Sequence, residues 1–238
     1  VVTAPEATGP AFLWDATTGK KLQTFDKVQR CVALSRDGKH LVSVEPDGKA
    51  ALRETQTGKV VHGFEAHKTT IWLVALSADG KYALTGAILW DAQTGKVVRT
   101  FRGHFSTIMG VALSADGARA LTVCGENTAF LWDTASGKKL QTFQEYADDV
   151  AGVALSGDGK SLAVAGPGVH LWDLANGKKT GTFRGQHAYF TTVALSREGK
   201  HVIAGSGSEE AILWEAQSGK QLRTFPGFDA YFGPRVCV

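Results

Sequence analysis

The chain has 238 residues, of which 43% are hydrophobic and 21% are charged, a composition typical of globular proteins. Its net charge of +3 comes from nearly balanced acids and bases, which argues against a nucleic-acid partner. The apolar runs are far shorter than the roughly 18 residues of a membrane span, and no signal-peptide pattern opens the sequence.

In chain order, the predicted elements begin with a short apolar strand, "VVTA", and a strand with a large aromatic residue, "AFLWD". A Thr-Gly-Lys turn leads to the alternating strand "KLQTF" (residues 21–25), and then to the apolar run "CVALS" (31–35). The following Asp-Gly is a hairpin-turn signal, because Gly tolerates positive φ. "HLVSV" (40–44) continues as the next strand, and this order of elements then repeats along the chain.

Two phrases recur in phase with each other. The "VALS–DG" phrase begins at residues 31, 73, 110, 152 and 192, and the "LWD–GK" phrase begins at 13, 52, 89, 131, 171 and 213. Successive copies of the second phrase lie 37 to 42 residues apart. Four strands in each repeat of this length predict an all-β fold, a β-propeller with one four-stranded antiparallel blade per repeat.

These phrases resemble the WD-repeat family of β-propeller proteins. The resemblance rests on the DGK and TGK turns, on one Gly-His pair and on four Trp-Asp pairs, namely Gly103-His104, Trp14-Asp15, Trp90-Asp91, Trp132-Asp133 and Trp172-Asp173. It covers nearly all of the chain, so we expect a single propeller domain over 1–238, within a larger protein or complex.

The two ends of the sequence predict how the propeller closes. The chain begins at a second strand and ends at "RVCV", which matches a first strand. We therefore expect the C-terminal strand (about 234–238) to pair with the N-terminal blade (1–25) and to remove exposed sheet edges. Six blades follow from this count, and seven, the commoner number in the family, stay open if the chain is cropped.

The resemblance also implies a hydrogen-bonded set inside each blade, which joins a His, a Ser or Thr, an acid and the Trp indole. Alignment of the third and fourth repeats assigns this structural network to His67, Thr85, Trp90, His104, Thr122, Glu126 and Trp132. Degraded copies recur in other repeats, so we interpret the set as bracing, not as a catalytic triad. In the second repeat Arg53 replaces the Trp, and we expect that blade to be the least stable.

Other signatures of catalysis are weak. "SGDGKS" (156–161) lacks the first glycine of a phosphate-binding loop, and no His and Cys spacing is typical of a metal site. Lysines and acids occur in nearly equal numbers in the DGK and TGK turns, which predicts a solvated face. Cys31, Cys124 and Cys237 lie in apolar runs and indicate buried thiols in a reducing compartment, which favours the cytoplasm. We expect no enzymatic activity, no cofactor and no metal.

Variable segments lead into the first strand of each blade, and they are unusually aromatic. Exposed aromatic, Met and Arg side chains anchor protein interfaces, which makes these segments the candidate partner face. Its candidate residues are Arg30, Trp72, Phe105, Met109, Tyr189, Phe190, Tyr231, Phe232 and Arg235. For each aromatic residue the alternative is a place in the local core beneath its loop.

The resemblance and this face together predict a non-catalytic scaffold that binds a protein or a peptide, with no nucleic-acid or membrane partner. The alternative is a propeller enzyme or small-ligand binder with its site at the channel mouth. Nucleic-acid binding is a third interpretation, and it predicts association that weakens steeply with salt.

One hairpin is shorter than its counterparts. Val74 and Leu89 are 15 residues apart, whereas the matching interval is 20 residues in the second, fourth and sixth repeats. Side chains alternate along a strand, so an odd deletion is expected to shift the register by one step. We therefore expect about five residues to be missing between Gly86 and Ala87.

Overall fold

The computed structural model describes residues 2–4, 8–65, 71, 73–125, 128–143, 150–185, 189–206 and 210–226, with the backbone alone at residues 8, 27, 29 and 30. Every regular element in these residues is a β-strand, and neighbouring strands pair antiparallel. The chain falls into two compact units, the first ending at Arg102 and the second beginning at Gly103.

The first unit holds one six-stranded and one four-stranded sheet. The six-stranded sheet consists of β1 (Val2–Thr3), β2 (Thr8–Trp14), β3 (Lys21–Leu34), β4 (His40–Val44), β5 (Ala50–Glu54) and β6 (Val60–Phe64). The strand β3 has 14 residues and serves both as the fourth strand of the first blade and as the first strand of the second. The four-stranded sheet consists of β7 (Val74–Leu76), β8 (Tyr82–Thr85), β9 (Ile88–Asp91) and β10 (Lys96–Thr100).

The second unit holds three four-stranded sheets, each with its strands in sequence order. The first consists of β11 (Ile108–Leu113), β12 (Arg119–Cys124), β13 (Thr128–Asp133) and β14 (Lys139–Phe143). The second consists of β15 (Gly152–Leu155), β16 (Ser161–Ala165), β17 (Val169–Asp173) and β18 (Lys178–Phe183). The third consists of β19 (Phe190–Leu195), β20 (His201–Ser206), β21 (Glu210–Glu215) and β22 (Gln221–Pro226).

The predicted all-β fold of propeller blades is confirmed. The described strands belong to six blades, of which five have all four strands and the first has three. The expected pairing of residues 234–238 with the first blade lies outside the described residues and stays a prediction, as does the single domain over 1–238.

Neighbouring blades share their hydrophobic core. In the second unit, Leu121 and Val123 of β12 pack in one cluster with Leu162 and Val164 of β16 and with Trp172. The middle strands are therefore covered on both faces, and Leu121 and Leu162 have no exposed surface. A single four-stranded blade could not bury these side chains alone, because both of its faces would remain in water.

The short hairpin between β8 and β9 closes without a register shift, which removes the physical reason for expecting missing residues between Gly86 and Ala87. Gly86 and Ala87 form a continuous two-residue turn, with a φ of 52° at Gly86, and the ladder pairs Ala83 with Trp90. The matching residues of the fourth blade, Ala120 and Trp132, pair in the same way, so the expected register shift is wrong.

The predicted register shift was wrong because a hairpin loop can have an odd or an even number of residues while the flanking strands keep the same pairing. Compared with the fourth blade, the third loses two ladder pairs, and a two-residue turn stands where three residues separate Cys124 from Thr128. These two changes together account for the five fewer residues.

Every fourth strand carries a β-bulge at the same place. The ladder skips one residue after each Thr-Gly-Lys-type turn, and the skipped residues are Leu22, Val61, Val98, Leu140, Thr180 and Leu222. Leu22 is 56% exposed, and Leu140 and Leu222 are also exposed. Because a bulge twists an edge strand and interrupts its ladder, these exposed aliphatic side chains belong to protected sheet edges.

Candidate functional site

The "VALS–DG" phrase builds its turn around a buried serine. Ser114 donates a hydrogen bond from Oγ to Asp116 Oδ1 at 2.6 Å and accepts one from the Arg119 amide at 2.9 Å. The same two bonds are made by Ser35, Ser77 and Ser156. The bond from Ser114 is the main cause of an Asp116 pKa below its ordinary value. These aspartates are therefore acceptors that hold the turns.

The Asp of each Trp-Asp pair holds the next turn in a similar way. Asp133 accepts hydrogen bonds from the Ser136 hydroxyl at 2.7 Å and from the Ser136 amide at 2.8 Å. These bonds lower the pKa of Asp133, and the guanidinium of Arg119, 2.7 Å away, adds to the effect. The Thr94 amide is the main cause of the lowered pKa of Asp91.

The structure brings three residues of the predicted network together in the fourth blade. Trp132 donates from its indole Nε1 to Thr122 Oγ1 at 2.8 Å, and His104 Nε2 lies 2.7 Å from the same oxygen. Thr122 has no exposed surface and Trp132 is 3% exposed. Glu126 lies outside the described residues, so its expected place in the set stays a prediction.

The third blade contains the corresponding indole bond, from Trp90 Nε1 to Thr85 Oγ1 at 2.7 Å. His67, the remaining predicted member of that set, lies outside the described residues. In the third and fourth blades, the Trp indole and the Thr hydroxyl thus satisfy each other away from water.

The second blade replaces this set with an ion pair. Arg53 Nη2 lies 2.7 Å from Glu45 Oε2, and Arg53 also donates from Nε to Ser43 Oγ and from Nη1 to the Gly58 carbonyl. The side chains of Arg53 and Glu45 are 14% and 20% exposed. Arg53 therefore fills the Trp position with its own polar partners, and sequence reasoning missed Glu45, which lies two residues before the aligned Asp47.

Three residues of the candidate partner face are exposed where the chain leads into blades of the second unit. Phe105 is 84% exposed, Met109 is 48% exposed and Tyr189 is 38% exposed. Met109 is the residue that the ladder between β11 and β12 skips, which turns its side chain away from the sheet. Phe105 and Tyr189 precede β11 and β19, respectively.

The first strands of the three blades in the second unit lie side by side, since β15 packs against both β11 and β19. A Cβ on Gly110 would lie 2.7 Å from the Val153 side chain, and one on Gly152 would lie 3.1 Å from the Thr192 Cα. The two glycines therefore permit a close approach of neighbouring strands, which places Phe105, Met109 and Tyr189 along one rim of the unit.

Phe190 is a correction to the candidate partner face. It is 1% exposed and packs edge-on against Trp214, with ring centroids 5.6 Å apart. Its ring belongs to the hydrophobic core that the fifth and sixth blades share. For Arg30 only the backbone, within β3, is described, and Trp72, Tyr231, Phe232 and Arg235 lie outside the described residues.

The described residues hold no group of three or more His, Cys, Asp or Glu side chains that could bind a metal ion. In the same part of the chain, no helix is long and apolar enough to cross a membrane. Cys31 is half-buried and Cys124 is buried, whereas Cys237 is among the residues that are not described.

Comparison with known families identifies two of the repeats. The family described as "WD domain, G-beta repeat" matches residues 58–93 and 95–133. The matched segments run from the turn before β6 through β9, and from the turn before β10 through β13. No curated protein matches the sequence.

Proposed function

We propose that this chain, a WD-repeat protein, is a non-catalytic scaffold that binds a protein or a peptide through the segments that lead into its blades. The single observation that carries the proposal is the exposure of Phe105, at 84%, beside an exposed Met109. Burying such side chains in a partner removes apolar surface from water, at about 25 cal/mol per Å². Aromatic residues and Met are also enriched in the cores of protein interfaces.

The rim supports this function because it combines exposed anchors with a rigid base. The strand β11, which follows Phe105, is paired to β12 along its length, and β12 is buried. Binding residues held on such a scaffold lose little conformational entropy when a partner docks. We place the protein in the cytoplasm, because its three cysteines are too few and too scattered for a disulfide framework, and we expect it to work within a larger protein or complex.

The enzyme or small-ligand alternative has less support. The aspartates of the turns are engaged as acceptors in hydrogen bonds that recur from blade to blade. The bond between Trp and Thr also occurs in two blades, which is typical of a structural role and not of a single active site. Nucleic-acid binding is not favoured by the near-balanced net charge of +3. A metabolite panel in a thermal-shift assay separates the alternatives, since strong stabilisation by one small molecule would contradict the scaffold proposal.

Affinity purification with quantitative mass spectrometry tests the scaffold proposal directly. The bait with Phe105→Ala and Met109→Ala is expected to lose at least about 90% of the captured partner, as expected for hot-spot residues. A matched control bait carries Leu140→Ala and Leu222→Ala, which remove equally apolar, exposed side chains from bulges of the fourth strands. Equal capture by both baits would show that the rim is not the binding face.

A further inference from the structure

A buried hydroxyl at the rim has no hydrogen-bond partner. The Oγ atom of Ser106 is shielded from solvent, and within the residues that the structure describes it neither donates nor accepts a hydrogen bond. Buried polar side-chain atoms usually have a partner, because an unpaired one costs free energy. The buried Thr122 hydroxyl of the same blade, for example, has two. Ser106 is therefore a donor that lacks an acceptor in a place that solvent does not reach.

Ser106 shares its surroundings with Met109. Gly125, which follows β12, is exposed and has no side chain. A Cβ on Gly125 would lie 3.8 Å from Ser106 Oγ and 3.9 Å from Met109 Cγ, so both side chains border the same small space. The Gly125 amide donates to the Thr107 carbonyl at 3.0 Å, which fixes the segment that carries Ser106 against the end of β12. The thioether sulfur is bonded to Cγ of Met109, and it is only a weak acceptor.

The sulfur of Met109 is open to small oxidants. Met109 is the one methionine of the chain, and it is 48% exposed. The ladder between β11 and β12 skips it, which turns its side chain away from the sheet. Hydroperoxides oxidise thioethers to sulfoxides, which are polar and which methionine sulfoxide reductases convert back. An accessible thioether thus lies beside a hydroxyl that has a hydrogen to donate.

We propose that Met109 is a site of reversible oxidation by hydroperoxides, and that the Ser106 hydroxyl binds the resulting sulfoxide oxygen. A sulfur lone pair attacks one oxygen of hydrogen peroxide, so that an S–O bond forms, the O–O bond breaks and the other oxygen leaves as water. The sulfur loses two electrons and the peroxide gains them, so no further reductant is needed. Rotation about the flexible bonds of Met109 brings the new oxygen to Ser106, which donates to it.

This modification would regulate the rim, and in that respect it rests on the function proposed above. Oxidation turns an apolar anchor beside Phe105 into a polar group. The hydrogen bond to Ser106 then holds this group toward Gly125 and away from a partner. Because less apolar surface is left for a partner to bury, binding is expected to weaken under oxidising conditions and to recover after reduction.

Thermal unfolding of the free chain tests the pairing of Met109 with Ser106 without any partner. The native chain and Ser106→Ala are compared before and after hydrogen peroxide, and peptide mapping by mass spectrometry shows whether Met109 has gained one oxygen atom. We expect oxidation to lower the Tm by about 2–4 °C more in Ser106→Ala than in the native chain, the shift that one hydrogen bond gives in a chain of this length. Equal effects of oxidation in the two chains, or no uptake of oxygen by Met109 while the chain is folded, would overturn the proposal.

Two control variants locate the effect. Thr107→Val removes an exposed hydroxyl from the neighbouring residue, and it is expected to respond to peroxide as the native chain does. A response equal to that of Ser106→Ala would overturn the proposal. Met109→Leu added to Ser106→Ala removes the sulfur, and we expect it to abolish the fall in Tm that peroxide causes. A fall that persists without the sulfur would also overturn the proposal.

The effect on binding is measured with the partner that affinity purification of the reduced chain identifies. The peroxide-treated chain is expected to bind it at least about tenfold more weakly, and treatment with methionine sulfoxide reductases to restore binding. Undiminished binding by the oxidised chain would contradict the regulation of the rim. If the reduced chain captures no partner, the scaffold function is wrong, and the unfolding of the free chain alone decides whether Ser106 binds the sulfoxide.

Discussion

Replacing Thr122 with valine measures how much the buried polar set stabilises the fourth blade. Thr122 has no exposed surface, and its hydroxyl accepts from the Trp132 indole at 2.8 Å and contacts His104 Nε2 at 2.7 Å. Valine keeps the branched shape and removes the oxygen. The indole N–H and the imidazole nitrogen then lose this partner in a place where Trp132 is only 3% exposed.

The expected magnitude follows from these two contacts. Two ordinary hydrogen bonds contribute about 1–3 kcal/mol together, and a buried donor that loses its acceptor adds a desolvation penalty of about 1–3 kcal/mol. Because Trp132 is only 3% exposed, water replaces the lost acceptor only in part, and we expect the free energy of unfolding to fall by about 2–4 kcal/mol.

Urea unfolding followed by tryptophan fluorescence and circular dichroism gives this difference, with Thr142→Val as the control. Thr142 lies exposed on β14 of the same blade, so the same chemical change there is expected to stay within about 0.5 kcal/mol of the native chain. Trp132→Phe, combined with Thr122→Val, completes a double-mutant cycle. Equal stability of the two valine variants, or a coupling energy of zero, would refute the reasoning.

The remaining predictions concern other charged groups. Glu45→Gln removes the carboxylate that pairs with the largely buried Arg53 guanidinium. We expect the free energy of unfolding in urea to fall by about 2–3 kcal/mol at neutral pH, and an unchanged urea midpoint would contradict this. The folded pKa values of Asp116 and Asp133 lie below 3.8, so their stabilisation is present above that pH and is lost as the pH falls further, when the unfolded chain binds protons first. Thermal unfolding at pH 5 and pH 3 checks this, and a Tm that does not fall at pH 3, or that falls as much in Asp133→Asn, would speak against it.

The order of the strands could be predicted because each turn carries a local signal. Ser114 and Asp116 close one hairpin with bonds between residues only two to five apart, and Asp133 with Ser136 closes the next. Interactions of this range are determined by neighbouring residues, so the repeated phrases located the blades correctly.

The fate of individual aromatic side chains could not be predicted in the same way. Alternate side chains of a strand point to the same face, so an unbroken strand would place Tyr189 on the same face as the buried Val193 and Phe190 on the opposite face. The ladder shifts between Phe190 and Thr192, which reverses the alternation and buries Phe190 against Trp214. No residue type in "AYFTT" signals this bulge, so the error has a structural cause.

Two contacts between blades were also hidden from sequence reasoning: Gln23 donates to the Gln56 carbonyl, and His62 Nε2 lies 2.6 Å from the Gln93 carbonyl, although Gln and His share a position but little chemistry. The same applies to Glu45, which is two residues away from the position that the alignment indicated. Contacts between elements depend on three-dimensional spacing, which a repeat phrase does not encode.

A repeated scaffold allows fold and function to be separated by asking which features recur. Exposed aliphatic residues such as Leu22 and Leu140 look like docking sites when considered one at a time, yet they occupy the same bulge in blade after blade. The bulge interrupts the ladder at a sheet edge, where an unbroken strand would invite pairing with another chain. Their recurrence is thus explained by the protection of the fold. Phe105 is a departure from the repeat that no such requirement explains, which is why it is the position where a partner is expected.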